Sequence, residues 1–160
     1  MAALDLPQLK WDMRFLRIAQ EVSTWSKDPS TQVGACIYDK HRRPVSQGYN
    51  GLPADSDEDE TIIFADRELK LMKCLHAEEN AIFFRNKRTL KGCTIYTYPF
   101  MPCAHCASAL VQMKIKRVVS FKNNIVRWAK NMEEARNTFR KARYGVELVE
   151  YDNEELARKV

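Results

Sequence analysis

The chain has 160 residues, enough for one domain with a full core spanning residues 1–160. Apolar residues make up 45% and charged residues 29%, an ordinary globular composition that excludes a low-complexity or fibrous chain, and no apolar run approaches the length of a membrane span. The net charge of +5 fits a polyanionic partner, a phosphorylated small substrate or simple solubility, and does not by itself point to nucleic acid.

Residues 1–10 lack a basic stretch followed by an apolar one, so no secretion signal is read there. Residues 9–25 carry Phe15, Ile18, Ala19, Val22 and Trp25 at helical spacing and predict an amphipathic helix. Lys27-Asp28-Pro29-Ser30 supplies turn chemistry after it. Residues 32–38 and 44–49 read as a β-hairpin, with Lys40-His41-Arg42-Arg43 as its solvated turn and Cys36 as a small core residue. Asn50-Gly51-Leu52-Pro53 is a further turn, and the acidic residues 54–60 read as an exposed loop. Residues 62–73 and 75–86 predict two helices, the second packing through Ala77, Ala81, Ile82 and Phe84.

Residues 92–98 predict a strand, 103–113 a helix with Ala107, Leu110 and Val111 inward, and 116–121 a strand. Residues 129–144 predict a helix packing through Met132, Ala135 and Phe139 and ended by Gly145. Residues 146–149 predict the last strand, and 153–159 a terminal helix. Strands alternating with helices imply a sheet with helices on both faces.

Two short segments carry chemistry. His76-Ala77-Glu78 is His-x-Glu, and Pro102-Cys103-Ala104-His105-Cys106 is Pro-Cys-x-x-Cys. In this order they match the signature of the zinc-dependent nucleobase deaminases. One neutral imidazole and two thiolates hold a zinc ion and leave its fourth position free for water. Glu78 then stands two residues from a ligand, placed for proton transfer rather than ligation. Both cysteines fall at a predicted helix start, where backbone N–H groups and the dipole favour thiolates. Other readings exist for the parts. Cys-x-x-Cys alone also suits a redox pair or half of a structural zinc site, for which Cys74 or His105 would be the fourth ligand. Five cysteines is an odd number and two lie in the motif, so no disulfide framework is expected, and thiolate ligands suit a reducing cytoplasm. His105 between the two cysteines reads as a residue at the surface or just behind the ligands.

At these residues the chain resembles the cytidine deaminase superfamily and, within it, the deoxycytidylate (dCMP) deaminases. The resemblance covers residues 11–149. Beyond the metal motif it rests on Ser26-Lys27-Asp28-Pro29-Ser30-Thr31-Gln32-Val33-Gly34-Ala35-Cys36, Gly48-Tyr49-Asn50-Gly51-Leu52-Pro53 and His76-Ala77-Glu78-Glu79-Asn80-Ala81. It implies an α/β fold, a three-layer α/β/α sandwich about a five-stranded mixed sheet, and hydrolysis of dCMP to dUMP and ammonia.

The resemblance also implies site roles. His76, Cys103 and Cys106 would bind one Zn2+, and Glu78 would shuttle the proton; some members hold a second zinc with an extra Cys or His before the first motif, residues 54–73 here have neither, and Cys74 is expected to be buried. The Ala77 N–H would meet the pyrimidine carbonyl, the Pro102 carbonyl the exocyclic amine, and Asn50 the sugar. Lys27 is a phosphate candidate or merely an exposed residue after a helix; Thr31 and Tyr98 are weaker candidates. Gly48, Tyr49, Asn50 and Gly51 are implicated in regulation by dCTP, with Mg2+ accompanying the regulatory nucleotide. A homo-oligomer, dimer or hexamer, is also implied. Residues 98–103 run one residue longer than is usual before Pro-Cys, which bears on substrate choice. Competing substrates are a 5-substituted dCMP, dCTP or cytidine; adenosine in tRNA and a non-catalytic zinc module rank below these.

Overall fold

A computed structural model describes residues 5–152. The helix expected over 153–159 lies outside the described residues. The elements, in chain order, are α1 (Leu6–Ser23), β1 (Gly34–Tyr38), β2 (Pro44–Tyr49), α2 (Glu60–Ala65), α3 (Arg67–Lys73), α4 (Ala77–Phe83), β3 (Thr94–Tyr98), α5 (Ala104–Gln112), β4 (Arg117–Phe121), α6 (Ala129–Arg140) and β5 (Glu147–Tyr151). A single 3-10 turn, Val126–Trp128, leads into α6.

The five strands form one mixed sheet in the order β2-β1-β3-β4-β5. β1 runs antiparallel to β2 and β3, whereas β3, β4 and β5 are parallel. Strand alternation sorts the side chains between two cores. Cys36, Tyr38, Tyr96, Val119 and Phe121 face α1, meeting Leu9, Met13, Leu16, Ala19 and Val22. Ala35, Ile37, Ile95 and Val118 face the other way, onto α4, α5 and α6 through Ala81, Leu110, Ala135 and Phe139. The result is the expected three-layer α/β/α sandwich.

Several expected details differ. α1 begins earlier because Asp5 caps it, accepting from the Gln8 N–H at 3.3 Å, with Pro7 in the first turn. Its buried stripe includes Leu9, Met13 and Leu16, leaving Ile18 exposed on the far side and Trp25 exposed beyond the helix end. The helix expected over 62–73 is two helices. Asp66 ends the first and caps the second, accepting from Glu68 and Leu69 N–H at 3.0 and 3.1 Å. α4 ends at Phe83, so Phe84 points to solvent instead of into the core. α6 ends at Arg140, several residues before Gly145, whose φ of +75° serves the following turn. Among the hairpin's turn residues, Asp39 accepts from His41 and Arg43 N–H at 2.8 and 3.0 Å, as an aspartate in a tight turn does.

Candidate metal centre and active site

The two helix starts meet at the carboxyl end of β3. His76 is the N-cap of α4 and Cys103 the N-cap of α5, with Cys106 one turn on. His76 therefore precedes the first helical turn instead of lying within it. Its backbone N–H donates to the Glu79 carboxylate at 2.8 Å, which fixes the entry into α4. His76 Nδ1 lies 3.5 Å from Cys103 Sγ and 3.4 Å from Cys106 Sγ. The three donor atoms fall within 4.8 Å of one another. Nitrogen and two sulfurs at this spacing fit a tetrahedral zinc site with one open position. Among the described residues neither Cys74 nor His105 joins the group. Cys74 is half-buried, where full burial was expected, and His105 is 80% exposed with Glu79 3.7 Å away. A site closed by four protein ligands is thereby disfavoured.

The three donors share protons. Hydrogen bonding from Cys106 and then from His76, against the opposing effect of burial, draws the Cys103 thiol down to about 4. Cys106 is pushed up, because its thiol donates to Cys103 and because it is buried. His76 rises to about 9, chiefly through its contact with Cys103. Glu78 is 4% exposed, and burial pushes its carboxyl up to about 7.

A cavity of about 500 Å³ opens over the triad. His76, Ala77, Glu78 and Cys103 form its floor, and Phe100 and Trp128, with ring centroids 4.8 Å apart, stand at one wall. Both wall residues follow parallel strands, at the end of the sheet where α/β folds place ligands. Asn131 of α6 accepts from the Ala104 N–H at 2.8 Å and so holds the start of α5.

The other expected residues are dispersed. Asn50 lines the cavity, but its amide is engaged: Oδ1 accepts from Val33 N–H at 2.8 Å and Nδ2 donates to Thr31 O at 2.8 Å. Thr31 also lines the cavity, and Pro102 is buried beside Cys103. Lys27 is outside it, 71% exposed and paired with Glu60 at 3.0 Å, beside a second cavity of about 810 Å³ lined by Gly48, Tyr49, Asn50 and Gly51. Tyr98 lies on the α1 side of the sheet, edge-on to Phe121, with its hydroxyl 3.3 Å from Gln20 Nε2. Alternation along β3 explains this: Tyr98 has the parity of Tyr96, away from the metal centre.

A soft-donor triad beside a buried carboxylate, at the mouth of a three-layer α/β/α sandwich, defines a zinc-binding centre of the cytidine deaminase-like type. The profile of the cytidine and deoxycytidylate deaminase zinc-binding region matches residues 9–122, and the chain belongs to that family. It is 44% identical over 148 residues to an uncharacterized deaminase encoded in the luxG 3' region of Aliivibrio fischeri, covering 87% of this chain and 92% of that one. It is 39% identical to the deoxycytidylate deaminase of Mus musculus over 69% of this chain and 64% of the mouse enzyme, so it spans less than two thirds of that relative's length. The dCMP deaminase of the cyanophage S-TIM5, solved with dCMP and dUMP, shares the fold with a TM-score of 0.67 at 20% identity, over 89% of this chain and 96% of that one. No helix among the described residues is long and apolar enough to cross a membrane.

Proposed function

We propose that the chain hydrolyses the exocyclic amine of dCMP, giving dUMP and ammonia, with zinc held by His76, Cys103 and Cys106. The observation that carries this reading is the convergence of those three donors at a cavity whose floor also holds the buried Glu78. Zinc, when bound there, supplies a water whose pKa falls to near 7. Glu78 would take the proton that the attacking water gives up and would return it to the exocyclic amine as the C4–N bond breaks, releasing ammonia. Burial raises its affinity for the proton it carries between the two. The Ala77 N–H, at the start of α4 where no intrahelical acceptor exists, donates to the pyrimidine carbonyl. The Pro102 carbonyl accepts from the amine, and Asn50 reaches the sugar through the Oδ1 lone pair that Val33 leaves unused. Phe100 and Trp128 shield the base from bulk water.

The reading extends to regulation and assembly. The second cavity supports a dCTP site on Gly48, Tyr49, Asn50 and Gly51; Asp55, Glu58 and Glu60 also line it, so a triphosphate enters with Mg2+. Exposed Leu71, Met72, Phe83 and Phe84 support a homo-oligomer. A single domain over 1–160 and a cytoplasmic location fit the continuous sheet and the thiolate ligands.

The test is ammonia release by zinc-loaded protein from dCMP, 5-methyl-dCMP, dCTP, deoxycytidine and CMP, with and without dCTP as effector. The expected result is preferential turnover of dCMP. Preference for another member of the panel moves the substrate and keeps the chemistry, while no turnover of any overturns the reading.

A further inference from the structure

The net charge of +5 is distributed unevenly between the two ends of the sheet. β3, β4 and β5 start side by side, with Thr94 opposite Arg117 and Arg117 opposite Glu147, and β1 ends beside them at Tyr38, opposite Thr94. Four connections therefore lie in one row at this end: residues 39–43, 85–92, 113–116 and 141–145. They hold three, four, two and two Lys or Arg, eleven of the chain's 26, against one acid, Asp39. The connections at the metal end, residues 24–33, 50–59, 99–103 and 122–128, hold three Lys or Arg and five acids.

The row is continuous. Lys87 pairs with Asp39 at 3.3 Å, the Leu90 N–H donates to the Met113 carbonyl at 2.9 Å, and Lys116 Nζ donates to the Gly145 carbonyl at 3.4 Å. Ten of the eleven cations are exposed, and among the described residues Lys87 is the one of them that meets a carboxylate. None of the exposed large apolar side chains falls in these four segments, so the face offers neither an apolar interface core nor a membrane anchor.

Two of its cations stand where the backbone disfavours a side chain. Arg42 and Lys114, at φ of 62° and 65°, are the two non-glycine residues in the left-handed region among the described residues. A side chain there strains the backbone, and glycine does not. Each charge rests on an aromatic ring: the Arg42 guanidinium carbon is 4.7 Å from the Trp11 ring centroid, and Lys114 Nζ is 5.2 Å from that of Tyr144. Strands about 4.8 Å apart make the row about 20 Å long. A chain of closely spaced phosphates meets cations along all of it, whereas a single phosphate meets one or two.

We propose that this amino end of the sheet binds the phosphate backbone of nucleic acid without regard to sequence. The metal centre lies at the other end, among acids that repel the same polyanion. Nucleic acid is thus a docking partner and not a substrate, and its binding does not depend on the deaminase reading.

The test is fluorescence anisotropy of a labelled mixed-sequence duplex of about 24 base pairs, titrated with zinc-loaded protein from about 50 to about 200 mM salt. About four phosphate contacts give log affinity against log salt a slope of about −3.6. Arg42→Gly/Lys114→Gly is expected to keep its unfolding midpoint, since the strain leaves with the side chains. It should weaken binding roughly 10-fold and make the slope shallower by about 2. Lys122→Gln/Lys130→Gln removes the same charge from the metal end and should change neither. If the glycine variant unfolds early, Lys40→Gln/Arg143→Gln carries the same comparison. No binding at the lowest salt, or equal weakening by the two double variants, overturns the proposal. So does tighter binding of poly-glutamate or of phosphatidylglycerol vesicles, which would assign the face to an acidic protein or a membrane. Competitive inhibition of dCMP turnover by the duplex would place it at the metal cavity and also overturn it. A protein that binds the duplex as expected and turns over no nucleotide sinks the deaminase reading alone.

Discussion

Glu78 is a carboxylate that folding has withdrawn from bulk water to the floor of the cavity, and its proton affinity follows from that position. At 4% exposure, burial pushes its carboxyl up to about 7 in the metal-free site. Replacing it by Gln keeps the shape and removes the proton carrier. Glu78→Gln is expected to bind zinc at one equivalent per chain and to lose at least about 10²–10⁴-fold in kcat. Metal analysis beside an ammonia assay checks this, and full activity in the variant would refute the assignment. The ligands make a second prediction. At pH 7 the metal-free triad holds a proton on His76 and another on Cys106, while Cys103 is already a thiolate. Ligation needs all three deprotonated, so zinc uptake should release about two protons, and affinity should weaken as pH falls from 8 to 6. Calorimetry in buffers of different ionisation enthalpy counts them; release of one or none contradicts the shared-proton picture. The chemistry at this scale was readable in the sequence because spacing carries it. His76, Glu78, Cys103 and Cys106 sit in two short local motifs at helix starts. Lys70, Arg127 and Trp128 carry no motif. Topology alone brings them to the cavity, from a short helix and a strand-to-helix connection.

Between elements, the position of the centre depends on how closely α4 can approach the sheet. Gly48 of β2 provides the room: a Cβ there would stand 2.4 Å from the Ala77 carbonyl oxygen and 2.5 Å from the Ala81 nitrogen, both backbone atoms of α4. Asn80 Nδ2 adds a tie to the Tyr49 carbonyl at 2.8 Å. Gly48→Ala must therefore push the helix away, and His76 and Glu78 with it. The expected cost is about 1–3 kcal/mol of stability, with weakened zinc affinity because the N-cap ligand moves. Denaturant unfolding of the metal-free variant together with a zinc titration checks both, and a variant unaltered in both would show that the contact relaxes freely. Gly48 drew attention in the sequence as part of an effector motif, and this packing role was invisible there because it depends on an approach between residues about thirty positions apart. The break at Asp66 was hidden for a different reason. Residues 62–73 hold apolar side chains on both sides of Asp66, and only its cap on Glu68 and Leu69 reveals where one helix stops and the next starts. Tyr98, by contrast, could have been placed from alternation alone, since Tyr96 and Tyr98 share one face of β3.

Across the whole molecule the load-carrying polar network lies on the opposite side of the sheet from the chemistry. Asp12 of α1 is fully buried and accepts from Gln8 at 2.9 Å, Tyr96 at 2.9 Å, Tyr151 at 2.7 Å and both terminal nitrogens of Arg117 at 2.7 Å. One carboxylate thus joins α1 to β3, β4 and β5. Its geometry is bidentate, and Arg117 has a second partner in Glu147 at 3.0 Å. Burial alone would weaken the guanidinium's hold on its proton, but the Asp12 contacts prevail and raise it. Removing Asp12 takes the bidentate partner from a largely buried arginine, leaving it only the exposed Glu147, and strands two tyrosine hydroxyls, a loss of about 3–5 kcal/mol for a broken buried pair. The metal centre sits across the sheet and shares none of these partners. Asp12→Ala should therefore lower the denaturation midpoint strongly, while the variant that remains folded in the cold binds zinc with unaltered stoichiometry. Double substitution with Arg117→Met should recover part of the stability, because no guanidinium is then left buried with its two terminal nitrogens unpaired. Thermal unfolding of the unsubstituted protein and the two variants, with zinc content measured at low temperature, separates the two halves of the molecule. If Asp12→Ala loses zinc in proportion to its stability while still folded, the sheet does not insulate the centre from α1, and the two faces act as one cooperative unit.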